Sequence, residues 1–268
     1  MIPPRLRRFL PGLCGLLLFL AAACGGREAQ RRFDEAMKLF DAGDYLAAAH
    51  AFELVVVDHP RAKTADRSLF MAGQIYGLYL DQFDRSLDAY QRLVKDYPDS
   101  EYASRALLGR AEIYHYKYEN YSRAILEYHR LLVRDPAFPQ ADQIHFRMAR
   151  CFLELRNFDD SRAVLELILK QYPQSDWADD AALGLAESYY LQGRPETALS
   201  IYREFIRAYP QSPLLIQARF GVAKSLEESL RLDEAIAAYQ ALLKDYPNPG
   251  LIQERLTAVE KRFQERNR

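Results

Sequence analysis

Gly43-Asp44-Tyr45-Leu46-Ala47-Ala48-Ala49-His50-Ala51-Phe52-Glu53-Leu54-Val55-Val56-Val57-Asp58-His59-Pro60 opens on a turn, closes on a proline and has five echoes downstream. Pro60 is followed by Pro98, Pro136, Pro173, Pro210 and Pro247, at intervals of 38, 38, 37, 37 and 37 residues. A fixed period of this length means one supersecondary unit stacked on copies of itself. Small residues recur twelve before each proline (Ala48, Ser86, Ala124, Ser161, Ala198, Ala235), and an aromatic or leucine recurs eight before it (Phe52, Tyr90, Tyr128, Leu165, Tyr202, Tyr239). Val55, Leu93, Leu131, Ile168, Phe205 and Leu242 follow three further on. Spacings of four and three place the three columns on one helical face.

An earlier segment of each unit carries a second small column, Ala36, Gly73, Ala111, Ala149, Ala186 and Ala223, and three further on a large apolar one. It reads as a second helix. Short polar turns such as Ala42-Gly43-Asp44 and Gln192-Gly193-Arg194 make the two helices antiparallel neighbours. The proline is expected to end the second helix, since it lacks an N–H and disfavours helical geometry in the residue before it. Ser100, Ser175 and Ser212 are expected as N-caps, with Glu101, Asp176 and Pro213 at the first helical position. Ile252, Leu256, Val259 and Phe263 then predict an amphipathic helix over 250–268 that seals the last hydrophobic face.

The Gly43-Asp44-Tyr45…Ala48…Phe52…Pro60 pattern and its echoes resemble the tetratricopeptide repeat. The resemblance implies an all-α, right-handed α-solenoid of about six helix-turn-helix repeats, near 28–62, 63–100, 101–138, 139–175, 176–212 and 213–249, with the C-terminal capping helix. The longer period and the signature Tyr97-Pro98-Asp99-Ser100, Tyr172-Pro173-Gln174-Ser175 and Tyr209-Pro210-Gln211-Ser212 are similar to two groups of periplasmic proteins. One is the BamD-type lipoproteins of outer-membrane assembly; the other is the CpoB type, which works with the Tol-Pal and peptidoglycan machinery. The first implies a non-enzymatic scaffold helping to assemble outer-membrane proteins with a β-barrel assembly partner. The second implies envelope maintenance, and a secretin pilotin is a further alternative.

Residues 1–23 follow another logic. Arg5, Arg7 and Arg8 precede a mostly apolar run from Phe9 to Leu20, and Ala21-Ala22-Ala23 precede Cys24. That is a secretory leader, set aside from the fold. Leu20-Ala21-Ala22-Ala23-Cys24 resembles a bacterial lipobox, which implies acylation of Cys24, residues 24–27 as anchor and short tether, and the periplasmic face of the outer membrane as location. Ala21-x-Ala23 also suits an ordinary signal peptidase.

Composition excludes several classes. Three of the 36 basic residues lie in the leader, leaving 33 against 37 acidic ones, scattered singly, so there is no nucleic-acid footprint. The five histidines lack metal-site spacing, and neither a phosphate-cradling glycine loop nor a nucleophile motif is present. We expect no enzyme, metal, cofactor or small-molecule substrate. Cys151 is expected as a small buried hydrophobe and His145 as a hydrogen-bonded core histidine.

In the family resembled, the first helix of each repeat lines the groove. That assigns Met37, Gln74, Glu112, Arg150, Glu187 and Lys224 to it, with Phe40, His115, Leu153, Tyr190 and Glu227 three positions further on. These columns vary in charge and size while the core columns do not, as expected of places that packing does not dictate. The column Phe33, Phe70, Leu108, Phe146, Leu183, Phe220 is uniformly large and apolar, so it is assigned to the core. Tyr114 and Tyr121 fill core places; Tyr116 and Tyr118 suit either an interface or simple exposure.

Overall fold

The computed structural model describes the backbone of residues 10–268 and side chains from Gly26 onward, so residues 1–9 and the side chain of Cys24 lie outside the described residues. Thirteen helices and no strand are found among them. The chain divides into two compact units, up to Pro136 and from Ala137. The first holds three hairpins: α1 (Leu10–Asp41) with α2 (Tyr45–Asp58), α3 (Ala65–Leu78) with α4 (Phe83–Asp96), and α5 (Ala103–Tyr116) with α6 (Tyr121–Arg134). The second holds α7 (Ala141–Glu154) with α8 (Phe158–Gln171), α9 (Ala178–Leu191) with α10 (Pro195–Ala208), α11 (Leu215–Glu228) with α12 (Leu232–Leu242), and a final α13 (Pro249–Arg266). Within each unit every helix packs on the next along the chain. The expected tether is itself helical, because α1 runs through Gly25 and Gly26 without a break.

Both small columns are wholly buried, as close approach of the paired helices requires. Where the column twelve before the proline holds serine, the hydroxyl donates across the contact: Ser86 Oγ to the Gly73 carbonyl at 2.7 Å, Ser161 Oγ to that of Ala149 at 3.0 Å. The large column fills the space between successive first helices. Tyr90 lies between Gly73 and Gly109, and Tyr202 lies against Gly221.

Each hairpin turns on one residue in the left-handed region: Gly43, Asp81, Glu119, Arg156, Gly193 and Leu230, each seventeen residues before its proline. The amide that follows then donates five or six residues back, as from Asp44 to the Leu39 carbonyl and from Gln82 to that of Tyr76, which satisfies the helix end. The longer reach occurs at α3/α4 and α5/α6, so the two 38-residue intervals carry their extra residue in the hairpin turn.

Five prolines directly follow the C-cap of a second helix, and the residues before them (His59, Tyr97, Asp135, Tyr172, Tyr209) leave the helical region. At the sixth, α12 ends at Leu242, well short of Pro247.

The serines correct one expectation. Ser100, Ser175 and Ser212 stand three residues ahead of α5, α9 and α11, whose N-caps are Tyr102, Trp177 and Leu214. Each serine oxygen still accepts an amide, from Tyr102 at 3.1 Å and from Trp177 and Leu214 at 3.0 Å, but over one extra turn. Each hydroxyl also donates to a carboxylate on the preceding first helix: Ser100 to Asp66 (2.7 Å), Ser175 to Asp142, Ser212 to Asp179 (2.6 Å). The signature serine therefore latches one repeat to the next. Ser212→Ala removes a charge-assisted hydrogen bond and should lower unfolding free energy by about 1 kcal/mol, read as a shifted urea midpoint. An unchanged midpoint would contradict the latch.

The last helix closes the second unit with Ile252, Leu256 and Val259 buried against Leu226, Tyr239 and Leu242. Phe263 departs from expectation at 37% exposed, one turn beyond the buried Val259. Cys151 is buried and free, and burial pushes its thiol up to about 12. His145 is half-buried, and its Nδ1 has no hydrogen-bond partner, contrary to the expected pairing. Desolvation holds it below the usual histidine range, with Asp142 opposing, and its ring packs near Tyr172.

Candidate functional site

In the first unit the assigned positions are largely taken up by packing. Met37 and Phe40 join the apolar cluster of α1–α3, where the Phe40 ring meets Tyr45 at 5.7 Å and Tyr79 at 5.3 Å. Gln74 and Glu112 are half-buried on α3 and α5. His115 Nδ1 lies 3.1 Å from the Tyr128 hydroxyl, and its ring stacks on Tyr116 at 4.1 Å. Of the column assigned to the core, Phe33, Phe70 and Leu183 are buried, with Phe33 edge-on to Phe52 and Phe70 stacked on Tyr102, while Leu108, Phe146 and Phe220 are half-buried. Tyr116 and Tyr118 are exposed, and Tyr118 donates to Asp84 at 2.6 Å, a bond that raises its phenol to about 12.

The second unit is different. The first helices α7, α9 and α11 bring Arg150, Glu187, Tyr190 and Lys224 onto one surface. Arg150 Nη1 reaches Glu187 Oε2 at 3.3 Å, across one full repeat. Lys224 Nζ sits 4.6 Å above the Tyr190 ring and 5.1 Å from that of Phe220, a cation over two π faces. It forms no ion pair with any described residue. Burial holds its ammonium below the usual lysine range; Glu187 opposes that shift and Arg255 adds to it. On α9, Asp180 is raised by burial and by neighbouring Asp179, with Arg150 opposing.

Two assigned residues do not face open space. Leu153 is buried in the fold. Glu227 is buried and holds the Tyr239 hydroxyl at 2.8 Å and Arg262 at 2.9 Å. It therefore ties α11 to α12 and α13. Sequence reasoning missed the contribution of α13, whose Arg255 and Arg262 bring positive charge to the same surface. Its apolar spacing marked it as a cap, and the reach of those exposed arginines toward α11 shows only in the fold.

The surface presents charge of both signs beside an aromatic ring. Among the described residues no group of histidine, cysteine and carboxylates could hold a metal ion. No described helix is long and apolar enough to cross a membrane.

Comparison with known proteins places these features. Residues 140–267 match the model of the outer membrane lipoprotein family YfiO, and residues 67–100 match a tetratricopeptide repeat model. No curated protein sequence matches significantly. Among solved structures, a tetratricopeptide repeat protein from Parabacteroides merdae is similar at 16% identity and TM-score 0.59, over 88% of each chain. YrrB, described as having an unusual peptide-binding site, is similar at 14% identity and TM-score 0.56, over 77% of this chain and 98% of its own. PilW, a type IV pilus biogenesis factor, is similar at 17% identity and TM-score 0.54, over 85% and 98%.

Proposed function

We propose, from the premise that this chain is a tetratricopeptide-repeat protein similar over residues 140–267 to the outer membrane lipoproteins, that it is a lipid-anchored scaffold assisting outer-membrane protein assembly. Cys24 carries the lipid, the repeats stand on the periplasmic face, and the α7–α9–α11 surface receives a partner polypeptide. The family match falls on the unit that contains this surface.

The observation that carries the reading is Lys224. A half-buried ammonium without a carboxylate partner is costly to keep, since burial disfavours its charged form. Cation–π contact with Tyr190 recovers only part of that penalty. A partner carboxylate docking there would recover the rest, with Arg255 beside it and Tyr190 as a rigid aromatic contact. The carboxylate-bearing segment is expected to be extended and to come from an envelope protein.

The test is site-specific photo-crosslinking at Tyr190 in growing cells, in parallel with a Lys224→Glu variant. Reversal replaces attraction by repulsion and should reduce the crosslinked partner at least about tenfold, since removing one partner of a desolvated ion pair costs roughly 2–5 kcal/mol. Recovery of a β-barrel assembly protein supports the proposal. A Tol-Pal component or a secretin would move the chain to envelope maintenance or pilotin work. Adducts that ignore Lys224→Glu would remove this surface from the function.

A further inference from the structure

The first repeat breaks the pattern of its connection beside a cavity. Ahead of α5 and α9, Tyr102 stacks on Phe70 at 5.2 Å and Trp177 stacks on Phe146 at 5.2 Å. The corresponding residue ahead of α3 is Thr64, so no ring from that place stacks on Phe33, and the Arg67 guanidinium covers it as Arg105 covers Phe70. The serine–aspartate latch is missing as well, because Ala62 and Ala29 occupy the two places. A cavity of about 740 Å³ lies between the Gly26–Gln30 stretch of α1 and the α2–α3 connection. That volume is in the range of small-molecule sites, about 300–1,000 Å³.

Its chemistry is polar within and cationic at the rim. His59 Nε2 and Thr64 Oγ1 are buried atoms without a hydrogen-bond partner, and both residues line the cavity. Arg27, Arg61 and Lys63 also line it, are exposed, and form no ion pair with any described residue. The acid nearby, Asp58, is already paired with Arg32. The positions one and three after the repeat proline hold Arg61 and Lys63 here. Elsewhere they hold Asp99 and Glu101, Ala137 and Pro139, Gln174 and Asp176, Gln211 and Pro213, Asn248 and Gly250. None of the other five connections carries the basic pair, so the repeat itself does not demand it. It occurs in the connection that lines the cavity together with Gly26 and Arg27.

Gly26, at the cavity wall, lies two residues from Cys24, about 3 Å along a helix axis. We infer that this cavity binds the headgroup of a net-anionic glycerophospholipid of the membrane in which Cys24 is anchored. The inference rests on the anchor proposed above. Arg61 and Lys63 would meet the phosphodiester, and His59 Nε2 and Thr64 Oγ1 would hydrogen-bond the glycerol hydroxyls and ester oxygens. Such a contact would orient the first hairpin on the bilayer, which a flexible acyl chain alone does not do.

The test uses the full chain, expressed with its own leader and purified in detergent from whichever fraction holds it. It is titrated with phosphatidylglycerol or phosphatidylcholine, and bound lipid is counted by native mass spectrometry; the same spectra report acylation. Phosphatidylglycerol should be retained at least about tenfold more strongly. The Arg61→Ser/Lys63→Ser variant should lose that preference while keeping its acyl mass and melting temperature, since each basic residue near an anionic surface contributes about 1 kcal/mol. Lys63→Ser alone should lose part of it. A preference that persists in an unacylated chain supports the cavity while removing the anchor. Equal retention of both lipids, a preference that survives the double substitution, or displacement by millimolar inorganic phosphate would each overturn the inference.

Discussion

Glu127→Ala should destabilise the first unit by about 3–5 kcal/mol, the largest loss expected from any single truncation considered for this chain. Glu127 Oε1 lies 2.8 Å from Arg110 Nη2, and the two side chains are only 4% and 9% exposed. Arg110 also donates to the Leu87 carbonyl at 3.2 Å, so its guanidinium is held between α4 and α6. Removing the carboxylate leaves that cation buried, with an exposed Arg130 unable to compensate because it carries the same sign. The paired replacement Arg110→Met/Glu127→Leu should recover most of the loss, because it removes both desolvation penalties and keeps the volume filled. Urea unfolding of the three variants reads both effects. A Glu127→Ala loss below about 1 kcal/mol would mean that the pair is solvated in solution.

The second large effect is a change of sign between two glycines of one column. Gly184 and Gly221 stand 37 residues apart and occupy the same place in successive repeats. Alanine at either gains helix propensity of up to about 1 kcal/mol. A Cβ on Gly184 would sit 3.4 Å from Leu165 Cδ1, an ordinary contact, so Gly184→Ala should raise stability. A Cβ on Gly221 would fall 2.4 Å from Tyr202 Cζ, inside a ring that is only 2% exposed. Overpacking costs about 1–3 kcal/mol and should exceed the propensity gain, so Gly221→Ala should lower stability. Introducing Tyr202→Leu first should abolish most of that loss, since it reproduces the Leu165 environment. If both alanines shift the melting temperature in the same direction, the partner in the preceding repeat does not govern the column.

These pairs show where sequence reading succeeds and where it stops. Both small columns, the large column that meets Gly73 and Gly221, and five of the six helix-ending prolines were legible from spacing alone. The hairpin turns were legible only at Gly43 and Gly193. Asp81, Glu119, Arg156 and Leu230 adopt the same left-handed geometry with side chains that do not advertise it. The serine–aspartate latch and the Arg110–Glu127 pair were not legible, because their partners lie 33–34 and 17 residues apart and carry no local signature. Of the groove positions, Leu153 and Glu227 were assigned to open surface from helical phase, yet the structure buries both.

The order of helices, the repeat length and the buried stripe follow from the chain's own periodicity, because an amphipathic helix must bury its apolar face whatever its neighbour is. Which polar side chains meet, which charge is left unpaired at Lys224, and that a cavity opens beside Thr64 depend on distances between helices far apart in sequence. Those distances are set by packing, to which every side chain in a contact contributes at once, so only the folded arrangement decides them.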